Sequence, residues 1–390
     1  MGDRIFTEYD FEKETTKREI SFERTETGEV RASETVAKKA QQQAEEAGGL
    51  HPSVDPAVQA IHRSLIRFEP YEDKFRVTVG CPIPIESVCD VTGSMGENVQ
   101  IMFGVLPETY ELISKALPGC DPQLSLGVFG DVVDGYVLER PQFEMTAEKI
   151  VEYCSHLFSS GNGGDGPEDP QYAVFGAAYL TDAYINRIGL KGYHFLVTDA
   201  SMHGDLTTRT LKRIFGEDVL DLTKENGHEQ DITEIMEKNH SYDMVKLHKD
   251  LNQLFHAFLI VIDRGSAQAC WQEVYDENHI IYLGSTRYLP QVEAAIIGLT
   301  EATIEPSEVE KFLINAQVPN DSAKILTRQL LGIPYGEQRK LEQKSGYVLP
   351  KKGDLFATKT ELQPCGFADE DADGDVATDN DETPSSGEWL

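Results

Sequence analysis

A chain of 390 residues with a formal net charge of −32 has room for one domain of about 200 residues plus flanking segments. Its acidic surface repels nucleic acid and anionic lipid headgroups, so a protein or a cation is the partner to expect. Apolar residues at 40% and charged residues at 26% fit a soluble globular protein, and no apolar run reaches the about 18 residues of a membrane span.

The N-terminus, Met1-Gly2-Asp3-Arg4-Ile5-Phe6, lacks the apolar stretch of a secretory signal. The six cysteines (Cys81, Cys89, Cys120, Cys154, Cys270 and Cys365) form no CxxC pair, and Cys89 and Cys154 sit in apolar segments. A reduced, cytoplasmic setting is therefore the expectation. Residues 1–78 read as a partly helical extension. Thr7 to Arg31 alternates enough for an edge strand or hairpin, with disorder as the alternative. Glu34 to Ala47 reads as a helix stopped by Gly48-Gly49, and Ala57 to Phe68 as a second helix after the turn His51 to Pro56.

Residues 79–300 carry a different pattern. Pro84 to Asp90, Leu124 to Phe129, Tyr136 to Phe143, Tyr193 to Asp199, Ala257 to Asp263 and His279 to Leu283 read as strands. Helical stretches at Val99 to Leu117, Thr146 to Phe158, Tyr172 to Ile185, Ala267 to Tyr275 and Leu289 to Leu299 alternate with them, with a polar helical insertion over about 205–254. Short apolar strands alternating with helices predict an α/β fold: a doubly wound, mainly parallel sheet with helices on both faces. Residues 301–365 read as a helical and irregular extension, and residues 366–390 as an acidic disordered tail.

Ligands of such sheets bind beyond the carboxyl ends of the strands. Asp90, Gly130-Asp131, Thr198-Asp199 and Asp263 all fall there, so acidic residues gather on one rim. Asp131/Asp134 and Asp263/Arg264 read as solvated strand ends rather than a second metal site. Asp90-x-Thr92-x-Ser94 puts one carboxylate and two hydroxyls on one tight loop, all hard oxygen donors of the kind Mg²⁺ and Mn²⁺ prefer. Taken alone, Ser94 is equally a helix N-cap.

Asp90-Val91-Thr92-Gly93-Ser94-Met95 resembles the first motif of the metal-ion-dependent adhesion site of von Willebrand factor A domains. Gly161-Asn162-Gly163-Gly164-Asp165-Gly166-Pro167-Glu168-Asp169 resembles the Gly-rich, Asp-x-Pro-Glu loop of integrin β subunits and several intracellular members. Thr198-Asp199-Ala200, followed by His203-Gly204, matches the third motif. Phe129-Gly130-Asp131 and Arg140-x-x-Phe143 resemble the subfamily found in bacterial proteins and beside α-type kinases. The resemblance covers about residues 80–300.

It implies that Asp90 binds the cation directly or through water, that Thr92 and Ser94 supply hydroxyl oxygens, and that Asp199 holds a water or a ligating hydroxyl. Two alignments compete for the third loop, one placing Asp165 and the other Glu168 on the metal. Glu168 and Asp169 equally suit a helix N-terminus as acids favouring its dipole. The implied ion is Mg²⁺, with Mn²⁺ or Ca²⁺ as alternatives, and the implied partner is a protein presenting Asp or Glu to it. An assembly subunit stabilised by metal is an alternative function. Hydrolysis through metal-activated water with His203 nearby is a weaker one, since no Ser-His-Asp order, phosphate loop or zinc spacing marks an enzyme. In the tail, Asp369-x-Asp371-x-Asp373-Gly374-Asp375 resembles the start of an EF-hand loop, but Asn380 stands where a bidentate Glu is required.

Overall fold

The computed structural model describes residues 22–24, 30–32, 34–95, 98, 101–102, 104–158, 166–226, 236, 241–262 and 268–362. The acidic tail with its EF-hand-like stretch, Cys365, Asp263 and Arg264 lie outside these residues.

Six strands make the central sheet: β1 (Pro82–Asp90), β2 (Asp121–Phe129), β3 (Leu138–Glu139), β4 (Gly192–Thr198), β5 (Phe255–Ile262) and β6 (Ile280–Leu283). Their spatial order is β6-β5-β4-β1-β2-β3, parallel throughout except for β3, which pairs antiparallel with β2 at the edge. The mainly parallel α/β sheet expected from the strand–helix alternation is therefore present. β1, β4 and β5 are buried along their whole length, which is why their sequences are nearly continuous apolar runs. Successive side chains serve opposite faces: Phe195 and Val197 enter one core, and Leu196 enters the other.

Helices cover both faces. α1 (Leu106–Ala116) and α4 (Leu289–Thr300) pack on one, and α2 (Gln171–Tyr179) and α3 (Met244–Leu254) on the other. α2 carries Ala173, Gly176, Ala177 and Ala178, small enough to let the helix lie close to the sheet. α4 is buried all round because helices Val309–Asn315 and Asn320–Leu330 cover its outer side through Val309, Leu313, Ala323, Leu326 and Leu330. Near the chain's end, Leu355–Phe356 adds a third strand to the hairpin Arg67–Tyr71/Lys74–Val79. Gly80 permits this approach, since a Cβ there would stand 2.5 Å from the backbone nitrogen of Lys352.

Several local expectations are corrected. No helix forms over Ala57 to Phe68. Turns over residues 52–58 lead into His62–Ser64, which pairs parallel with Thr181–Ala183, and into Arg67–Tyr71. Strand partners far along the chain outweigh the local helical preference. The same pairing ends the expected 172–185 helix at Tyr179. The strand expected over Tyr136 to Phe143 shrinks to Leu138–Glu139, because Pro141 has no N–H to offer the ladder. The insertion over 205–254 is not all helical: Asp205–Thr207 pairs antiparallel with Ser241–Asp243. Phe22–Arg24 and Val30–Ala32 form the hairpin alternative for the N-terminal segment. The five described cysteines form no disulfide with one another, and Cys89 is fully buried and Cys154 only partly.

Glu293 of α4 lies against β1, 1% exposed, and its Oε1 accepts a 2.8 Å hydrogen bond from the Ser87 hydroxyl. Burial pushes its carboxyl from 4.5 up to about 8, against the smaller effect of Ser87. Between those values the folded chain keeps a proton that the unfolded chain releases. Stability therefore falls as pH rises through this interval, at no more than about 1.4 kcal/mol per unit, and levels off above it. Glu293→Gln keeps the acceptor and removes the ionisation. Urea midpoints measured at both ends of the interval are expected to show a shallower slope for the variant, and an unchanged slope would exclude Glu293 as its source.

Candidate metal centre

The strand order reverses between β1 and β4: the chain runs outward from β1 through β2 to β3, then returns to β1's other side and runs outward through β5 to β6. Loops leaving β1 and β4 diverge at such a point and open a crevice on the carboxyl rim. Asp90 closes β1, and Thr198 closes β4 at the same level, as the pairing of Cys89 with Val197 requires.

Both oxygens of the buried Asp90 are fixed. Oδ1 accepts from the Thr92 backbone N–H at 2.9 Å and from the Thr92 hydroxyl at 2.6 Å, and Oδ2 accepts from the Thr198 hydroxyl at 2.7 Å. Thr92 is buried, and its Oγ1 stands 3.4 Å from Ser94 Oγ. The exposed Ser94 donates to Asp199 Oδ1 at 2.8 Å. Asp90, Thr92, Ser94 and Asp199 thus form a continuous chain of oxygen atoms from the core to solvent. The N-cap alternative for Ser94 falls on a helix start at residues 96–97, outside the described residues.

The Gly-rich loop enters the described residues at Gly166, and Asp165 lies outside them. Pro167–Glu168 then forms a short parallel pair with Ser201–Met202, and the His203 N–H donates to the Glu168 carbonyl at 2.9 Å. These backbone bonds tie the third loop to the loop after β4. Glu168 itself is buried, and its Oε2 has no hydrogen-bond partner among the described residues. Burial and then the charge of Asp90 push its carboxyl up to about 8, with Asp131 and Asp134 adding to the rise against the Thr92 hydroxyl. Asp90 rises to about 6, because burial outweighs its hydrogen bonds.

The structure thus brings Asp90, Thr92, Ser94, Glu168 and Asp199 together. The donor set is entirely hard oxygen, and no positive group among the described residues is what favours the charged forms of Asp90 and Glu168. An orphaned, buried Glu168 oxygen beside Asp90 fits a divalent cation better than it fits a solvent-free protein interior.

Thr198, part of the third motif but not one of its expected ligands, is the donor that pins Asp90 Oδ2. Its signal was its place at a strand's carboxyl end. Trp271, wholly buried, braces the loop after β4 by donating its indole N–H to the Ala200 carbonyl at 2.9 Å. Asp131 is not a solvated strand end: it is buried, because its Oδ1 caps the turn Val132–Asp134 by accepting from the Val133 N–H. Asp169 is buried too, with Oδ2 accepting from the Val132 N–H at 2.7 Å and Oδ1 from Gln171 Nε2 at 2.6 Å.

No protein-family model matches the chain, and no curated protein matches it in sequence. Solved structures of similar architecture include proximal thread matrix protein 1 from the mussel byssus, with 12% identity over 56% of this chain and 45% of that one, and a TM-score of 0.31. A von Willebrand factor type A structure from Catenulispora acidiphila matches at 10% identity over 58% of this chain and 44% of its own, with a TM-score of 0.31. The pilus adhesin SpaC from Lactobacillus rhamnosus GG, in its open conformation, matches at 10% identity over 60% of this chain and 33% of its own, with a TM-score of 0.33. The match spans less than half the length of each of these neighbours, and the likeness concerns fold alone.

Proposed function

We propose that the chain is a metal-dependent protein-binding module, in which Thr92, Ser94, Glu168 and the Asp90 and Asp199 carboxylates hold a divalent cation in the manner of a von Willebrand factor A adhesion site. The ion is Mg²⁺ by the hardness of its donors, with Mn²⁺ and Ca²⁺ as alternatives. Asp165, outside the described residues, is the other candidate for the third loop. The observation that carries the reading is the buried Glu168 Oε2, which has no hydrogen-bond partner among the described residues, beside Asp90 and Thr92.

A cation bound here supplies positive charge and an exchangeable position for an acidic side chain of a partner protein. The chain's own residues do the rest. Thr198 and the Thr92 N–H fix the Asp90 carboxylate, so a ligand meets oriented oxygens and not a mobile side chain. Asp199 orients the Ser94 hydroxyl. The short Pro167–Glu168/Ser201–Met202 pairing sets the position of Glu168. Nothing in this set acts as a nucleophile, and recognition requires none.

The test is capture of a host partner by the full chain with Mg²⁺, with EDTA, and by Asp90→Ala. Loss of capture in both latter cases is expected, and unchanged capture in both would overturn the reading. The same ion would clasp three loops, so saturating Mg²⁺ is expected to raise the melting temperature, by the equivalent of about 2.7 kcal/mol at a hundredfold excess over Kd. Chelation that lowers the melting temperature yet leaves partner capture intact would instead favour an assembly subunit with a stabilising metal.

A further inference from the structure

A second group of metal-ligating side chains meets at the neighbouring corner of the rim. Asp131 follows β2, Asp169 follows Pro167–Glu168, and His203 follows Ser201–Met202. One ligating atom of each lies within 4.8 Å of the others. Asp131 is 1% exposed and Asp169 4%, and His203 Nε2 stands 4.0 Å from Asp131 Oδ2.

The two carboxylates are pre-oriented by the protein. Asp131 Oδ1 accepts from the Val133 N–H at 3.0 Å, and Asp169 accepts from the Val132 N–H and from Gln171 Nε2. Such supporting bonds accompany ligating carboxylates in metal sites. The remaining oxygen, Asp131 Oδ2, is buried, has no hydrogen-bond partner among the described residues, and is the one that faces His203. His203 is exposed and offers a route from solvent.

We propose that Asp131, Asp169 and His203 bind a second divalent cation of the Zn²⁺ type. An imidazole nitrogen beside two carboxylates suits a borderline transition ion, whereas the all-oxygen neighbour suits a hard one. The two centres share the Glu168-Asp169 dipeptide, and the His203 N–H bonds to the Glu168 carbonyl. Loading the Zn²⁺ centre thereby fixes the backbone that carries Glu168. The Zn²⁺ centre stands without the adhesion-site reading, since it uses none of that site's side chains.

Metal-stripped full-length chain is titrated with Zn²⁺ against a chromophoric chelator in excess Mg²⁺. The variants are His203→Ala, at an exposed position, and Asp131→Asn, which keeps the Oδ1 acceptor for Val133. The wild type is expected to bind one Zn²⁺, and each variant to weaken it at least about tenfold. Thr92→Ala, checked for its fold by circular dichroism, is expected to leave Zn²⁺ binding unchanged while losing Mg²⁺. Absence of Zn²⁺ binding, or binding by His203→Ala equal to wild type, overturns the proposal. Zn²⁺ binding lost in Thr92→Ala also overturns it, because the ion would then occupy the first site. Loss of Mg²⁺ binding alone bears only on the adhesion-site reading.

Discussion

Arg140→Ala is expected to destabilise the fold by about 3–5 kcal/mol, the cost of breaking a buried ion pair from one side. Arg140 is 1% exposed and its partner Glu86, in the middle of β1, is fully buried. The guanidinium makes two bonds to the carboxylate, Nε to Oε1 at 2.6 Å and Nη2 to Oε2 at 3.2 Å, and Nη2 also donates to the Thr181 hydroxyl at 3.0 Å. Its stem lies against α2, where a Cβ on Gly176 would stand 3.1 Å from Arg140 Cδ. Truncation therefore strands a carboxylate and opens a void.

A partial rescue is built in. Buried His194 is pushed down to about 4 by burial, with Glu86 opposing and Arg140 reinforcing that shift. Without Arg140 both effects favour a protonated His194 beside Glu86. The loss is accordingly expected to shrink as pH falls through the acid range. Arg140→Met combined with Glu86→Leu, which removes both charges, should recover most of the stability. Urea unfolding measures all three, and a single variant within 1 kcal/mol of wild type would refute the role given to the pair.

The second large effect falls on metal affinity. Thr198→Val keeps the shape of a β-branched side chain at the end of β4 but removes the hydroxyl that donates to Asp90 Oδ2 and accepts from the Ala200 N–H at 3.0 Å. Losing a supporting partner of this kind typically costs 10–100-fold in affinity. Mn²⁺ binding followed by electron paramagnetic resonance is expected to weaken by about that factor, with the fold retained. Thr198→Ser, which restores the hydroxyl, should recover it. Equal Mn²⁺ affinity in Thr198→Val and wild type would show that Asp90 needs no such support or binds no ion.

The parallel sheet was readable because burial on both faces leaves no polar alternation: Phe255–Ile262 carries one His among apolar residues, and it cannot be placed at a surface. The rim was readable for the same reason, since an acid such as Asp90 or Asp199 directly after such a run must lie where the run ends. What escaped was what depends on distant partners. His62–Ser64 becomes a strand only because Thr181–Ala183 runs beside it, more than a hundred residues along the chain. Asp131 reads as a surface acid until the backbone amides that hold Oδ1 are in place. Thr198 reads as an ordinary β-branched strand residue until its level with Asp90 is known. The competition between Asp165 and Glu168 was a matter of alignment, and the burial of Glu168 beside Asp90 supports the second while Asp165 lies outside the described residues.

The strand Leu355–Phe356, laid on the Lys74–Val79 hairpin, bears on the order in which the protein is made. A ribosome releases the hairpin early and its third strand about 275 residues later, after every strand of the central sheet has emerged. Throughout that interval Arg76 and Phe75 present an open edge to the cell, on a chain still being translated. Chaperones that shield nascent strands would find a target there.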